Sequence, residues 1–140
     1  MSSSNFAKLQ RIQNTLARVV TLSDKRVHII TPILKRLHWL PLRQRVEYKV
    51  SLLSYKIRQT SEPAHLSALL IEHVPTHNLR LSERSYLEIP RTKLALASQA
   101  FSVAAPRTWN FLPTDVTSAE SLTIFRKRLK TYLFNTAYKH

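Results

Sequence analysis

The chain contains no glycine in 140 residues, and this absence constrains its fold and chemistry more than any other feature of the sequence. At a typical usage of ~7%, a chain this long would carry about ten glycines. Glycine allows the tight turns and the close backbone approach with which many proteins surround phosphate groups. The sequence therefore excludes Gly-rich phosphate loops of the P-loop and dinucleotide-binding kinds.

The charge of the chain is strongly positive. Twenty-two Lys and Arg stand against eight Asp and Glu, a net charge of +14, while 44% of the residues are hydrophobic, as expected of a globular domain. A domain this basic usually meets a polyanion, with nucleic acid as the first class and an anionic membrane surface as the second. Because there is no cysteine, disulfides and thiolate chemistry are excluded.

The hydropathy pattern predicts neither a membrane span nor a signal peptide. No apolar run approaches the ~18 residues of a membrane span, and residues 1–5 lack the apolar stretch of a signal peptide. We therefore expect an intracellular protein that has no membrane partner.

The hydrophobic periodicity predicts a mainly α fold with a small antiparallel β element, an α+β class with four to five helices. Helices are predicted over 5–22, 31–39, 42–58 and 118–137, and a short one over 61–71. Alternating apolar residues between about 76 and 103 predict a hairpin, with 101–103 as a further strand. Thr117 and Glu120 resemble a capping box that opens the last helix.

The charge distribution suggests how a single domain over 1–140 is organised. Residues 1–58 hold twelve Lys and Arg and two acids, whereas residues 126–140 hold five cations and no acid. The sequence predicts a basic helical part (5–58), a neutral helix-plus-hairpin part (59–117) and a basic C-terminal helix (118–137). The expected core residues are Trp39, Val46, Val50, Leu53, Trp109, Phe125 and Leu129.

The sequence offers no candidate catalytic residues. His73 and His77 have helical spacing, but Pro75 between them breaks the helix that would align them. Asp24 and Asp115 are far apart, so no carboxylate cluster for a two-metal centre is present. We expect no catalytic residue, no metal site and no cofactor, and hence no enzyme active site within this chain.

Binding residues are easier to propose. Basic ridges and adjacent aromatic side chains could contact phosphates and bases; the alternative is that each ridge is the solvated face of an amphipathic helix. The candidates are Lys8, Arg11, Arg18, Arg45, Tyr48, Lys49, Tyr55, Lys56, Arg126, Lys127, Arg128 and Lys130. Tyr48, Leu52 and Tyr55 form a second apolar strip on their helix (the tyrosine strip), which could instead dock on a partner protein.

Several short motifs occur in a fixed order along residues 6–134. They are LQRIQN at 9–14, LHWLPLRQR at 37–45, YK at 48–49 and 55–56, PRTKL at 90–94, AFSVAAPRTWNFLP at 100–113 and SLTIFRKRLKTYLF at 121–134. This succession resembles the C-terminal, post-thumb segment of LINE-type (non-LTR) retrotransposon reverse transcriptases, closest to the jockey-like and chicken-repeat-like branch.

The resemblance implies a non-catalytic segment that binds or positions RNA or an RNA–DNA hybrid during target-primed reverse transcription. It also implies a location in the nucleus or in a cytoplasmic ribonucleoprotein, and no small-molecule substrate. The polymerase and endonuclease centres of such enzymes lie upstream of this segment, and the upstream reverse transcriptase domain is a second expected partner. Family members usually carry glycine where this chain has 59–62 and 96–99, and a leucine where it has Thr108. Two alternatives stay open: a protein-interaction module that docks on the polymerase body, and a truncated element copy without function.

Overall fold

The computed structural model describes residues 3–23, 29–74 and 85–139. Helices dominate these ranges, and a short 3-10 turn spans Ala97–Gln99. The helices are α1 (Ser3–Val20), α2 (Thr31–Arg36), α3 (Leu42–Thr60), α4 (Ala64–Ser67), α5 (Phe101–Phe111), α6 (Thr114–Thr117) and α7 (Leu122–Tyr138).

The predicted antiparallel β element is wrong, because the described residues contain no β-strand. They hold one isolated antiparallel bridge between Glu72 and Leu87. The predicted strand at 101–103 is the first turn of α5, where Val103, Pro106 and Trp109 are buried at helical spacing. The proposed strand around 79–81 lies outside the described residues. The predicted α+β class is therefore replaced by a mainly helical fold.

The first compact unit comprises the described residues within Met1–Tyr48 and Lys130–His140. Its core contains Ala17 of α1, Leu34 of α2 and Tyr138 of α7. Around them pack half-buried side chains that include Trp39 and Phe134. The hydroxyl of Tyr138 donates a hydrogen bond of 2.5 Å to the carbonyl oxygen of Trp39. The last turns of α7 are thus tied to the loop that follows α2.

The second compact unit is Lys49–Leu129. Of the expected core residues, Trp109, Phe125 and Leu129 are confirmed as buried. Val46 of the first unit and Leu53 of this unit are exposed. The core of this unit is completed by Tyr55, Ile57, Leu87, Val103, Ala105, Leu112, Val116 and Ala119.

Three helices end in the left-handed conformation that glycine usually supplies. Leu22 after α1, His38 after α2 and Ser61 after α3 have φ values of 51°, 53° and 56°. After α2, the Trp39 N–H donates to the Leu34 carbonyl oxygen at 2.9 Å and the His38 N–H to that of Lys35 at 3.1 Å. This is a Schellman motif formed without glycine. A chain that lacks glycine therefore keeps the usual helix ends at some steric cost.

Helix α7 begins at Leu122, four residues after the start predicted from a Thr117–Glu120 capping box. Its N-cap is Ser121, whose Oγ accepts a hydrogen bond from the Ile124 N–H at 3.3 Å. The Thr117 hydroxyl instead donates back to the Thr114 carbonyl oxygen at 3.2 Å, within α6. Ser121 thus satisfies one of the backbone donors that a helix start leaves unpaired.

Candidate nucleic-acid interface

Helix α3 buries only part of the face that its aliphatic residues predict: Ile57 is buried, whereas Leu53 is exposed. In the second unit its buried residues are Ser51, Ser54, Tyr55 and Ile57. The Tyr55 hydroxyl donates to the Ala119 carbonyl oxygen at 2.8 Å, and the Tyr55 ring stacks on Phe125 with centroids 4.2 Å apart.

The tyrosine strip is therefore not available as predicted. Tyr55 is only 3% exposed, which leaves no ring face for a base or for a partner protein. Tyr48 and Leu52 are half-buried. Burial thus removes Tyr55 from the predicted set of base-stacking residues, and it removes the centre of the proposed protein-docking strip.

The basic residues of α3 lie on its solvent side. Arg45, Lys49 and Lys56 are exposed, and their spacing of four and seven residues places them along one line of the helix. Arg45 belongs to the first unit, whereas Lys49 and Lys56 belong to the second. The side chains of Lys49 and Lys56 have no carboxylate partner among the described residues.

The basic cluster of α7 is exposed but is not one surface. Arg126, Lys127 and Arg128 project from different sides of the helix, because neighbours in sequence are separated by about 100°. Lys130, four residues after Arg126, returns to the Arg126 side. Arg128 donates through Nη1 to the Asp115 carbonyl oxygen at 2.6 Å, so it also fastens α6. Arg126 lies one turn after Leu122 on the same flank and has no carboxylate partner in the described part of the chain.

The three candidates on α1 lie in the first unit. Lys8 and Arg11 are exposed, whereas Arg18 is half-buried. Lys130, the last residue of the predicted α7 cluster, also belongs to this unit. The described residues of the first unit hold nine Lys and Arg and a single acid, Glu47.

A shallow open groove of about 690 Å³ lies beside the exposed face of α3 in the second unit. Its apolar lining is formed by Leu53, Pro63 and Leu122, and Lys56 stands among its polar lining residues. The groove lining thus combines an apolar floor with one cation, Lys56, and one acid, Glu62. Lys49 and Arg126 lie one helical turn from lining residues, since Lys49 precedes Leu53 on α3 and Arg126 follows Leu122 on α7.

A second, more polar cleft of about 430 Å³ surrounds Arg58, which the sequence did not single out. The Arg58 guanidinium donates to the Glu72 carboxylate at 2.7 Å and to the Ser85 hydroxyl at 2.5 Å, and it lies over the Trp109 ring. The Arg58 hydrogen bond and charge lower the pKa of Glu72. Because the arginine is neutralised by this carboxylate, the cleft suits a polyanion less well than the groove does.

The structure shows no candidate metal centre in residues 3–23, 29–74 and 85–139, where no three His, Cys, Asp or Glu come together. None of the helices in these ranges is both long and apolar enough to cross a bilayer. Comparison of the chain with protein-family models, with curated proteins and with solved structures finds no match.

Proposed function

We propose that the chain is a non-catalytic nucleic-acid-binding segment of a LINE-type reverse transcriptase. It holds RNA or an RNA–DNA hybrid while the upstream polymerase copies the RNA at a nicked target. The order of the sequence motifs supports the family origin, and the excess of cations supports the binding. The proposed contact surface is the groove between α3 and α7 in the second unit, called the basic groove below.

The observation that carries the proposal is the set of cations around the basic groove. Lys49, Lys56 and Arg126 are exposed, and none has a carboxylate partner among the described residues. An exposed cation without a fixed partner can pair with a phosphate and release its counterions without first breaking an ion pair. Lys8, Arg11, Arg45 and Lys130 share this exposure. Lys49, Lys56 and Arg126 differ from them in lying at the groove lining or one helical turn from it.

The apolar floor of the groove gives a second kind of contact. Leu53 and Leu122 lie beside Lys56, so a ribose or the edge of a base can pack on them while a phosphate meets the lysine. Contacts to phosphate and sugar position a nucleic acid without reading its sequence. We therefore propose binding of low sequence specificity, as suits a segment that positions a template.

The test compares two triple variants that remove the same charge from the same unit. The groove variant is Lys49→Gln/Lys56→Gln/Arg126→Gln, and the matched control is Arg91→Gln/Lys93→Gln/Arg107→Gln, which changes three exposed cations outside the groove. Filter binding with single-stranded RNA and with an RNA–DNA hybrid should show affinity falling at least tenfold in the groove variant and about threefold or less in the control. Circular dichroism should show both variants folded.

Two results would reject the proposal. One is no retention of RNA or hybrid by the intact chain at low salt. The other is an equal loss of affinity in the two variants, which would show that net charge alone attracts the polyanion and that the basic groove has no special part in binding.

A further inference from the structure

Helix α1 packs in the first unit through its polar side. Gln13 is 5% exposed and Ala17 is fully buried. The Gln13 side chain donates to the Leu40 carbonyl oxygen at 2.8 Å, and the Leu42 N–H donates to the Gln10 side-chain oxygen at 2.8 Å. These two amides satisfy backbone groups on either side of Pro41, a residue with no N–H of its own.

Because α1 packs through its polar side, its aliphatic side is left exposed. Five side chains are between 40% and 64% exposed although they recur at the spacing of one helical face. This α1 aliphatic face consists of Leu9, Ile12, Leu16, Val19 and Val20. It is about 16 Å long at 1.5 Å per residue, and the exposed Leu22 and Ile29 follow it in the chain. An apolar patch this continuous marks a surface that another molecule covers.

The charges around the α1 aliphatic face decide what can cover it. Helix α1 has no Asp or Glu, and the exposed Lys8 and Arg11 lie beside the aliphatic face, away from the buried Gln13 and Ala17. The first unit holds nine cations and one acid among its described residues. A second copy of the chain would bring two such basic units together, which their mutual repulsion opposes. The positive charge of the first unit instead favours a partner with an anionic surface and an apolar interior.

We infer that the α1 aliphatic face binds the surface of a bilayer that carries anionic headgroups. An amphipathic helix with aliphatic residues on one side and only cations among its charged residues lies in the plane of the interface, with its apolar face among the acyl chains. Lys8 and Arg11 then pair with lipid phosphates and carboxylates. The sequence predicted no membrane partner because it has no long apolar run, but a helix that lies on the surface needs none.

This surface goes beyond the nucleic-acid proposal and uses other residues. The basic groove belongs to α3 and α7 in the second unit, whereas the α1 aliphatic face belongs to the first. Each can therefore be removed by substitutions that leave the other side chains in place.

Vesicle co-sedimentation of the intact chain tests the inference. The probes are unilamellar vesicles of phosphatidylcholine alone, and of phosphatidylcholine and phosphatidylserine in equal amounts. The chain should bind the mixed vesicles and not the neutral ones. The variant Ile12→Ser/Leu16→Ser/Val19→Ser should bind the mixed vesicles at least tenfold more weakly, and Lys8→Gln/Arg11→Gln roughly 30-fold more weakly.

The control variant is Leu94→Ser/Leu96→Ser/Phe111→Ser, which removes three exposed apolar side chains elsewhere and should bind like the unchanged chain. Equal binding by the α1 serine variant and the unchanged chain would overturn the inference. So would failure of the folded, unchanged chain to bind either vesicle, which would leave a protein surface as the cover. A dimer of the unchanged chain that the α1 serine substitutions convert to monomer would overturn it in favour of self-association.

Discussion

The Arg58 guanidinium lies 4.8 Å from the centroid of the Trp109 ring. It covers one end of a stack in which Trp109 meets Phe125 at 5.9 Å and Phe125 meets Tyr55 at 4.2 Å. A cation over an indole face is attracted by the ring quadrupole, and stacked rings add to the energy of their burial. One column of side chains therefore links α3, α5 and α7 in the second unit.

The first prediction concerns this column. Trp109→Ala should lower the free energy of unfolding by about 3–5 kcal/mol, because it opens a cavity and leaves Phe125 and Arg58 without their neighbour. Urea unfolding followed by circular dichroism measures the loss. Trp39→Ala is the control, since Trp39 is only half-buried. An equal loss of unfolding free energy in the two variants would contradict a special contribution of the column to stability.

The residues in the left-handed conformation after α1, α2 and α3 give a prediction about stability whose sign is easy to check. Ser61→Gly should stabilise the chain by about 1 kcal/mol, because glycine adopts the φ of 56° at this position without steric strain. Ala68→Gly should have the opposite effect, since Ala68 has φ −61° and glycine there only adds freedom to the unfolded chain. Thermal unfolding of both variants measures the difference, and a loss of stability in Ser61→Gly would refute the assignment.

Ser121 rather than Thr117 is expected to control the start of α7. Ser121→Ala should cost about 1 kcal/mol, because it removes the side-chain acceptor for the Ile124 N–H. Thr117→Ala should cost less, since the Thr117 hydroxyl bonds back to the carbonyl oxygens of Pro113 and Thr114. Urea unfolding measures both losses of stability. A larger loss in Thr117→Ala than in Ser121→Ala would instead support the Thr117–Glu120 capping box predicted from the sequence.

Glu47 links stability to pH. Burial raises the pKa of this carboxyl above its ordinary value of 4.5, against a smaller lowering by the charge of Arg43. The folded state therefore holds the proton more tightly than the unfolded state, and the contribution to stability that is present below pH 4.5 is lost as pH rises through the folded pKa. At neutral pH the ionised Glu47 reduces stability.

Glu47→Gln should accordingly raise the melting temperature at neutral pH, and the gain should shrink as the pH falls below 4.5. Differential scanning calorimetry at the two ends of this range measures it. Glu120→Gln is the control for net charge, because that carboxylate is exposed. A gain at neutral pH that matches the control would show that burial of Glu47 is not its cause.

Helix positions were more predictable than the faces they bury. The pattern from 42 to 58 predicted α3 to within two residues of its observed end at Thr60, because periodicity reports the helix itself. It could not show that Tyr55 packs on Phe125 while Leu53 stays exposed, since both residues fit an amphipathic helix and tertiary packing chooses between them. On α1 tertiary packing buries the polar side and not the aliphatic side, because Gln13 donates to the Leu40 carbonyl oxygen and Gln10 accepts from the Leu42 N–H.

In the candidate site, too, the sequence predicts which side chains are exposed but not which distant residues pack together. Exposure of Lys49, Lys56 and Arg126 follows from their charge alone. The role of Arg58 was hidden, because its partners Glu72 and Trp109 lie 14 and 51 positions away in the sequence. The segment 101–103 was misread as a strand because three residues are too few to distinguish alternation from the first turn of a helix.

The salt dependence of RNA affinity tests the central claim most directly. For ~6 phosphates in contact, log K of the intact chain should fall with log salt at a slope of about −5. In Lys49→Gln/Lys56→Gln/Arg126→Gln the slope should shrink by about 2 or more, and in Arg91→Gln/Lys93→Gln/Arg107→Gln by less than about 1. A slope near zero for the intact chain, or the same change of slope in both variants, would contradict nucleic-acid binding through the basic groove.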